Sequence, residues 1–364
     1  MAKSKSDIFI ICGEKSGDNH GSFLVKELLK KKPSLKIHCW GGNMMKEAGA
    51  EMLENYSSYS VMGFLEVLQK LRFLVKKLNK CKRQILELNP KIILLIDFPG
   101  FNLRIAKFSK MNEFNVHYYI PPKAWAWNKN RAKSLSSYTD MIYSILPFEV
   151  SFFKKYNCKI KYVGNPIYKQ VSNLTKNKTS SQNIISLLPG SRESEIKYSI
   201  PIFILLCKKL SNYTFIVCAV NNINKDHYMN IQELENVEIK FEDTLNIVSS
   251  SQLSIVMSGT ASLEVAYLNI PHVVVYKTSK LSYYIAKLLV NIRYFSLTNL
   301  ILNKKVVNEF IQDDFNTKNL ILEIKRLNKS EVISKLKNDY LKIKKTIGVK
   351  NSSKEVAENI LKSL

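Results

Sequence analysis

Ser251-Gln252-Leu253-Ser254-Ile255-Val256-Met257-Ser258-Gly259-Thr260-Ala261-Ser262-Leu263-Glu264-Val265-Ala266 opens on an apolar run of strand length, Leu253 to Met257, and turns through Ser258-Gly259-Thr260. It continues with apolar positions at Leu263, Val265, Ala266 and Leu268. Pro271 then leads into a second strand-like run, His272 to Tyr276. This order spells strand, tight turn, helix, strand, the repeating unit of an α/β sheet. The turn also carries chemistry. Gly259 lets backbone N–H groups approach a ligand closely, and a helix start favours an anion. Ser258 and Thr260 add hydroxyl donors, and Glu264, one turn into the helix, is placed to accept from ribose hydroxyls. An ordinary capped helix in an α/β sheet reads equally well from this stretch alone.

Outward from this unit, the same rhythm covers most of the chain. Towards the N-terminus it gives strands at Ile8 to Cys12, Leu35 to Trp40, Lys91 to Ile96, Val116 to Ile120, Asp140 to Ile145 and Ile160 to Val163. Helices fall at Asp18 to Lys31, Val61 to Leu88 and Asn102 to Met111. The polar stretch Lys169 to Asn183 has the composition of a linker. A second series follows, with strands at Ile184 to Leu188, Tyr213 to Cys218, Val237 to Phe241, Leu253 to Met257 and Val273 to Tyr276. Thr317 to Leu364 is rich in Lys and Leu and reads as helical, with a break near Gly348. The expected fold is α/β: two doubly wound, Rossmann-like domains facing across a cleft, with the loops after the strands at that cleft.

The 364 residues suffice for two domains with their own cores. A hydrophobic fraction of 46% and a charged fraction of 23% are those of a soluble protein, but 55 basic against 30 acidic side chains leave a net charge of +25. Such a field attracts nucleic acid, an anionic membrane surface or phosphorylated small molecules. The basic residues are mostly scattered Lys, without an Arg-rich block or basic tail. Cys12, Cys39, Cys81, Cys158, Cys207 and Cys218 form no Cys-x-x-Cys pair and read as buried free thiols in a reducing compartment. The five histidines do not fall at metal-ligand spacing, so no structural zinc is expected. The N-terminus lacks a signal-peptide core, and no window of roughly 20 residues is apolar enough to span a bilayer. Any membrane contact is therefore expected from the surface.

Several other loops follow strands. Gly13 to Gly21 is a tight polar turn in which Asp18 is placed to cap the helix, and it is neither a P-loop nor a Gly-x-Gly-x-x-Gly turn. Asp97 ends the buried run Ile92 to Ile96, where partial burial raises a carboxyl towards the range of a useful general base; capping of the next helix is the other reading. Tyr118 to Trp127 is an aromatic and proline cluster that suits either sugar stacking or core packing. Pro189-Gly190-Ser191-Arg192 places a guanidinium at a helix start, ready to hold a diphosphate or to pair with Glu193 or Glu195. Met62 to Leu78 carries more apolar residues than one buried stripe needs, Phe64, Leu65, Leu68 and Phe73 among them, interleaved with Lys70, Arg72, Lys76 and Lys77. Such a helix fits a membrane interface or acyl chains, or a plain core.

Taken in order, Gly13-Glu14-Lys15-Ser16-Gly17-Asp18, Met62 to Leu68, Ile96 to Asn102, Trp125-Ala126-Trp127, Leu146-Pro147-Phe148-Glu149, Pro189 to Arg192 and Ser258 to Glu264 resemble the lipid-A-disaccharide synthases. The motifs run from about Gly13 to Gln312; each is weak alone, and the ordered set is specific. The resemblance implies an inverting GT-B glycosyltransferase of lipid A and lipopolysaccharide biosynthesis. It would join UDP-2,3-diacylglucosamine to 2,3-diacylglucosamine 1-phosphate (lipid X), giving the β-1,6-linked disaccharide 1-phosphate and UDP. It implies no cofactor and no metal, and a cytoplasmic, peripheral place on the inner face of a Gram-negative inner membrane. A homodimer with exchanged C-terminal segments is also implied. Residues 1–165 would form the acceptor and membrane-facing domain and 166–340 the nucleotide-sugar domain. Residues 341–364 would be a helical tail packing back on the N-terminal domain.

Residue by residue, the resemblance makes Asp97 the base that takes the proton from the acceptor 6-hydroxyl. It makes Arg192 the diphosphate ligand and Ser258, Gly259, Thr260 and Glu264 the nucleotide loop. Ser16 and Gly17 lie under the donor, and Asn299, Glu309 and Gln312 line the site. Phe64, Leu65, Leu68 and Phe73 would meet acyl chains or membrane. Two positions depart from the pattern: Asn165 stands where His is usual and lacks its charge, and Asn308 stands where Pro is usual, a change expected to touch only backbone stiffness. The competing readings are another GT-B enzyme of UDP-sugars, such as a peptidoglycan glycosyltransferase or a UDP-N-acetylglucosamine epimerase, and a basic nucleic-acid-binding protein. No base-reading motif supports the latter, and nucleic acid is not expected as a partner.

Overall fold

The structure, a computed structural model, describes residues 6–59, 71–172, 174, 183–221, 223–241, 243–290 and 292–364. The chain divides into two compact units, Met1–Pro166 with Lys350–Leu364, and Ile167–Val349.

The first unit is built on β1 (Ile8–Ile11), β2 (Ile37–Gly41), β3 (Glu51–Asn55), β4 (Ile92–Ile96), β5 (Asn115–Tyr119), β6 (Met141–Ser144) and β7 (Ile160–Tyr162), in the order β3-β2-β1-β4-β5-β6-β7. Every neighbouring pair is parallel. Side chains alternate across a strand, so an apolar run feeds both faces at once. Ile8, Ile10, Ile92, Leu94 and Ile96 enter one core cluster, and Phe9, Ile11, Ile93 and Leu95 enter the other. The first cluster is closed by the helices Lys15–Lys31 and Ser352–Lys362, which supply Leu24, Val25 and Leu28, and Val356, Ala357 and Ile360.

The second unit holds β8 (Ile184–Leu188), β9 (Thr214–Cys218), β10 (Val237–Lys240), β11 (Leu253–Met257), β12 (His272–Tyr276) and β13 (Glu309–Ile311), in the parallel order β10-β9-β8-β11-β12-β13. Ser186 and Ser254 share a buried hydroxyl bond of 2.6 Å between β8 and β11. His272, fully buried, stacks on Tyr340 and shares a hydrogen bond of 2.9 Å between its Nδ1 and the Tyr340 hydroxyl, fastening the helix Ser330–Ile347 to β12. Burial pushes this imidazole down to about 4, so it is neutral at pH 7. Each sheet is doubly wound, and each has one place where strand order reverses: β1 and β4 in the first unit, β8 and β11 in the second. Ligands of open α/β sheets bind beyond the strand ends at such a switch point.

The strand and helix rhythm of the sequence is recovered with ends shifted by up to three residues, and several details change. β3 is a polar, half-exposed edge strand that apolar periodicity does not mark. Of the expected helix Val61 to Leu88, the part Leu71–Leu88 is helical, while Phe64, Leu65 and Leu68 lie outside the described residues. The expected linker begins later than composition suggested: Ile167–Ser172 is a helix whose Val171 packs on the Leu268 cluster, and residues 173 and 175–182 lie outside the described residues. The C-terminal part is helical, but as Thr317–Leu327, Ser330–Ile347 and Ser352–Lys362, with Gly348 at φ +70° after the second. Asp18 does not cap its own helix. It lies inside the first turn and accepts from Gly42, Met44 and Met45 N–H at 2.8–3.2 Å, capping the helix Asn43–Glu47 instead.

Candidate active site

At the switch point of the first unit, β4 ends in two successive left-handed residues, Asp97 at φ +46° and Phe98 at φ +48°. Such residues cost on the order of 1–3 kcal/mol each and persist only where the surroundings over-determine them. Here Asp97 N–H donates to Tyr119 O at 3.1 Å, and Asp97 C=O accepts from Asn102 Nδ2 at 2.8 Å and Tyr118 Oη at 2.6 Å. Asn102, fully buried, also reaches Ile11 O and Ile96 O, so it ties the ends of β1 and β4 together. The Phe98 ring stacks on Phe101 at 5.6 Å and lies over Gly13, where a Cβ would fall inside the ring. Phe98, and not Asp97, is the N-cap of the helix Pro99–Met111, so the carboxylate is left for another task.

That carboxylate is half-buried. Burial first, and the Glu14 carboxylate second, push Asp97 up to about 6, while Lys123 and the Phe98 N–H pull the other way. Glu14 leaves the end of β1 and accepts from Ser16 Oγ at 2.7 Å. Gly17 is there for packing: a Cβ would come within 2.8 Å of the Cys12 Cβ. Trp125 donates Nε1 to Glu149 at 3.0 Å and meets Phe148 edge-on at 5.0 Å, so it packs within its own unit. Trp127 is 45% exposed, with Arg131 over its ring at 4.2 Å. Of the residues read as lipid-facing, Phe73 is described; it is 41% exposed, with Lys77 over its ring at 5.4 Å.

At the switch point of the second unit, β8 leads into Pro189 to Arg192 and β11 into Ser258 to Thr260. Glu195, three residues into the helix Glu193–Lys209, turns back to accept from Ser191 N–H at 2.9 Å and Arg192 N–H at 3.3 Å. Its other oxygen holds Arg192 Nη1 at 2.8 Å. The ion pair foreseen in the sequence is thus present, on a guanidinium side chain that is 62% exposed. Gly190, at φ +114°, leaves room for Glu195, whose Cβ would stand 2.7 Å from an added Cβ. Gly259 is different: among the described residues an added Cβ would have no neighbour nearer than Met257 O at 3.9 Å, so they make no demand for glycine there. Ser258 donates to Phe295 O at 3.3 Å, Thr260 is the exposed N-cap of the short helix Ala261–Tyr267, and burial raises the Glu264 carboxyl above its ordinary value.

Asn299, Glu309 and Gln312 are engaged inside the unit. Asn299 donates to Val307 O and Glu309 Oε1 and accepts from Val306 and Val307 N–H, at 2.8–3.0 Å, which uses all its hydrogen-bonding capacity. Glu309 accepts from Phe295 N–H, Ser296 N–H and Ser296 Oγ at 2.7–3.0 Å. Gln312 grips both backbone groups of Thr278. These side chains frame the loops at the ends of β11 and β12 and are not free donors. Asn308 does more than relax the backbone: its Nδ2 donates to Glu323 Oε2 at 2.7 Å, correcting the expectation from sequence. Asn165 donates to Ile145 O at 3.0 Å.

Sequence reasoning passed over Asn102, Lys123 and Glu149 as site residues. The signal for Asn102 and Glu149 was their place in short motifs after strands; Lys123 had only its position between Pro122 and Trp125. All six cysteines are buried free thiols. Among the described residues no cluster of His, Cys, Asp and Glu is placed to hold a metal ion, and no helix is long and apolar enough to cross a membrane.

Comparison with known proteins matches residues 8–362 to the family described as lipid-A-disaccharide synthetase. Lipid-A-disaccharide synthase 1 of Legionella pneumophila (strain Paris) is 34% identical, with 85% of each chain covered. The lipid-A-disaccharide synthase of Persephonella marina is 32% identical, with 97% of each covered. Among solved structures, the glycotransferase of kitacinnamycin matches at a TM-score of 0.68 and 11% identity over 99% of each chain. The UDP-GlcNAc 2-epimerase from Neisseria meningitidis matches at 0.66 and 15% over 98% of this chain and 99% of the other. These last two share the fold alone, the GT-B pair of Rossmann-like domains. With a family match over nearly the whole length and relatives above 30% identity, the chain belongs to the lipid-A-disaccharide synthases, glycosyltransferases of lipid A synthesis.

Proposed function

We propose that the protein transfers the diacylglucosaminyl group of UDP-2,3-diacylglucosamine to the 6-hydroxyl of 2,3-diacylglucosamine 1-phosphate with inversion. Asp97 takes the hydroxyl proton as the oxygen attacks the sugar C1. The bond from C1 to the diphosphate breaks, and UDP leaves with the electron pair. The reading is supported most by one observation: an aspartate at the first switch point whose backbone is fixed by three hydrogen bonds and whose carboxyl is pushed up to about 6, where a general base works well near neutral pH.

The nucleotide half falls to the second switch point. Arg192 exchanges part of its pairing with Glu195 for the diphosphate, the backbone at Gly259 admits the phosphates, and Ser258, Thr260 and Glu264 take nucleotide hydroxyls and oxygens. Ser16 and Gly17 lie below the donor. Asn299, Glu309 and Gln312 serve the site by holding its loops. Charge of +25 and the partly exposed apolar side chains of the helix Leu71–Leu88 support peripheral attachment to the anionic inner face of the inner membrane. Phe64, Leu65, Leu68 and Phe73 would face acyl chains there, and the protein would act as a homodimer.

The test is to incubate the pure protein with both diacyl substrates and follow UDP release. UDP that appears only when both are present is the expected result; release from the donor alone, or none, rejects the transfer. For the membrane, sedimentation with anionic vesicles at rising salt is decisive: binding at low salt that fades with salt is expected, and none at low salt rejects it.

A further inference from the structure

The chain around β12 is charged in one sense only. From Val265 to Asn308 it holds six Lys or Arg and no Asp or Glu. Its helix Lys280–Leu289 starts after Ser279, whose Oγ accepts from Ser282 N–H at 3.2 Å as an N-cap does. Lys280, Tyr284, Lys287 and Leu288 stand at i, i+4, i+7 and i+8, which puts them on one face of that helix. All four are exposed, Tyr284 at 62% and Leu288 at 87%. Neither lysine makes an ion pair with a described residue. A lone exposed leucine needs no explanation, but a leucine and a tyrosine set among cations have the composition of an interfacial helix. The face is also held in place. Gln312 grips both backbone groups of Thr278 before the helix. Beyond it, Phe295 O accepts from Ser258 Oγ at 3.3 Å, and the half-exposed Phe295 ring stacks on Tyr276 at 6.4 Å. Because β11 and β12 are parallel neighbours, the loops that follow them leave the same end of the sheet. The helix therefore stands beside the Ser258 to Thr260 turn.

We infer that this face is a lipid-contact surface of the second unit: Tyr284 and Leu288 enter the headgroup boundary of an anionic bilayer, and Lys280 and Lys287 meet its phosphates. Charge complementarity selects that occupant. A bilayer of anionic lipids offers negative charge and apolar depth together, and a lysine stem lies along the apolar layer while its ammonium stays at the headgroups. The surface is distinct from the helix Leu71–Leu88, which belongs to the first unit. Its purpose rests on the proposed function. A donor whose two acyl chains lie in a bilayer presents its nucleotide at the bilayer surface, so the loop that takes the nucleotide has to be held there. The contact itself rests only on the exposed face and its charge.

The six native thiols are buried, so in the full chain Leu288→Cys can be labelled alone with an environment-sensitive fluorophore. Vesicles of phosphatidylglycerol and phosphatidylethanolamine are expected to shift its emission to the blue, and vesicles of phosphatidylcholine to leave it unchanged. The same fluorophore at Leu205→Cys, another exposed leucine of the second unit, should not respond. Without any label, the pair Tyr284→Ser and Leu288→Ser, and separately the pair Lys280→Gln and Lys287→Gln, should each weaken binding to the anionic vesicles about five- to thirtyfold with the melting point kept. No shift at Leu288 overturns the inference even where the protein sediments with vesicles, because attachment then lies elsewhere. An equal shift at Leu205 also overturns it, since the fluorophore and not the face is then entering the lipid. A shift that needs the diacyl donor instead of vesicles makes the face an acyl-chain contact, and one that grows with protein concentration alone makes it a contact between copies; either result replaces the lipid surface. A wild-type protein that releases no UDP from the two diacyl substrates sinks the proposed transfer, while the fluorophore still decides for or against the surface.

Discussion

The two switch points use the same place in the same kind of sheet and are built in opposite ways. In the first unit the chain is strained and filled: Asp97 and Phe98 are left-handed, Gly13 is covered by Phe98, and the Asp97 backbone is held by Tyr119, Asn102 and Tyr118. In the second the chain is open. Among the described residues only Met257 O comes within 4 Å of where a Gly259 Cβ would stand, and Arg192 stands half free on an internal partner it can exchange. The contrast suits the proposed roles: a general base needs a fixed environment, whereas groups proposed to grip a leaving diphosphate need room and exchangeable bonds.

The largest effect should come from the reactive end of this contrast. Asp97→Asn keeps the shape and tolerates the left-handed backbone, so UDP release should fall about 10²- to 10⁴-fold with an unchanged melting point. Turnover near wild type would remove Asp97 from the chemistry. Next come the framing residues. Asn299→Ala leaves Val306 and Val307 N–H without their acceptor in a buried site and should destabilise the second unit by about 2–4 kcal/mol in urea unfolding. Gly13→Ala, forced against Phe98, should cost the first unit about 1–3 kcal/mol. A smaller and reversible effect is set by pH. Because the Asp97 carboxyl is raised to about 6, the ionised form proposed to act as the base is lost as pH falls. The kcat/KM profile should be level above that value and drop about tenfold per unit below it. A profile flat down to pH 4.5 would show that no such group is needed. The smallest expected change is in Gly259→Ala, whose stability should stay within about 0.5 kcal/mol of wild type while UDP binds more weakly by isothermal titration. Equal destabilisation by Gly13→Ala and Gly259→Ala would erase the contrast.

Much of this was readable from the chain. The central strands are short apolar runs bounded by turn residues, and Ile184–Leu188 and Leu253–Met257 fall where the pattern puts them. β3 was hidden because Glu51, Glu54 and Asn55 break any apolar alternation, and the tertiary setting, not periodicity, makes it a strand. Asp97 was legible as a candidate because a carboxylate ends an apolar run. What could not be read was which polar residues answer to each other. Glu149 sits beyond β6 and Trp125 beyond β5, and only the sheet order makes them neighbours. For the same reason Asn299 and Gln312 read as ligand contacts from a motif, although the structure commits their side chains to Val307 and Thr278.

The helix Ser352–Lys362 covers one face of the first sheet, yet it is made after everything in Ile167–Val349. On the ribosome, Leu24, Val25 and Leu28 must therefore wait for Val356, Ala357 and Ile360. At about 5–20 residues per second the wait is on the order of ten seconds or more. For that interval the nascent first unit shows an uncovered apolar face, and a chain stalled or cut before Lys350 would keep it. The same late helix that completes the fold thus marks the difference between a finished molecule and a substrate for chaperones and proteases.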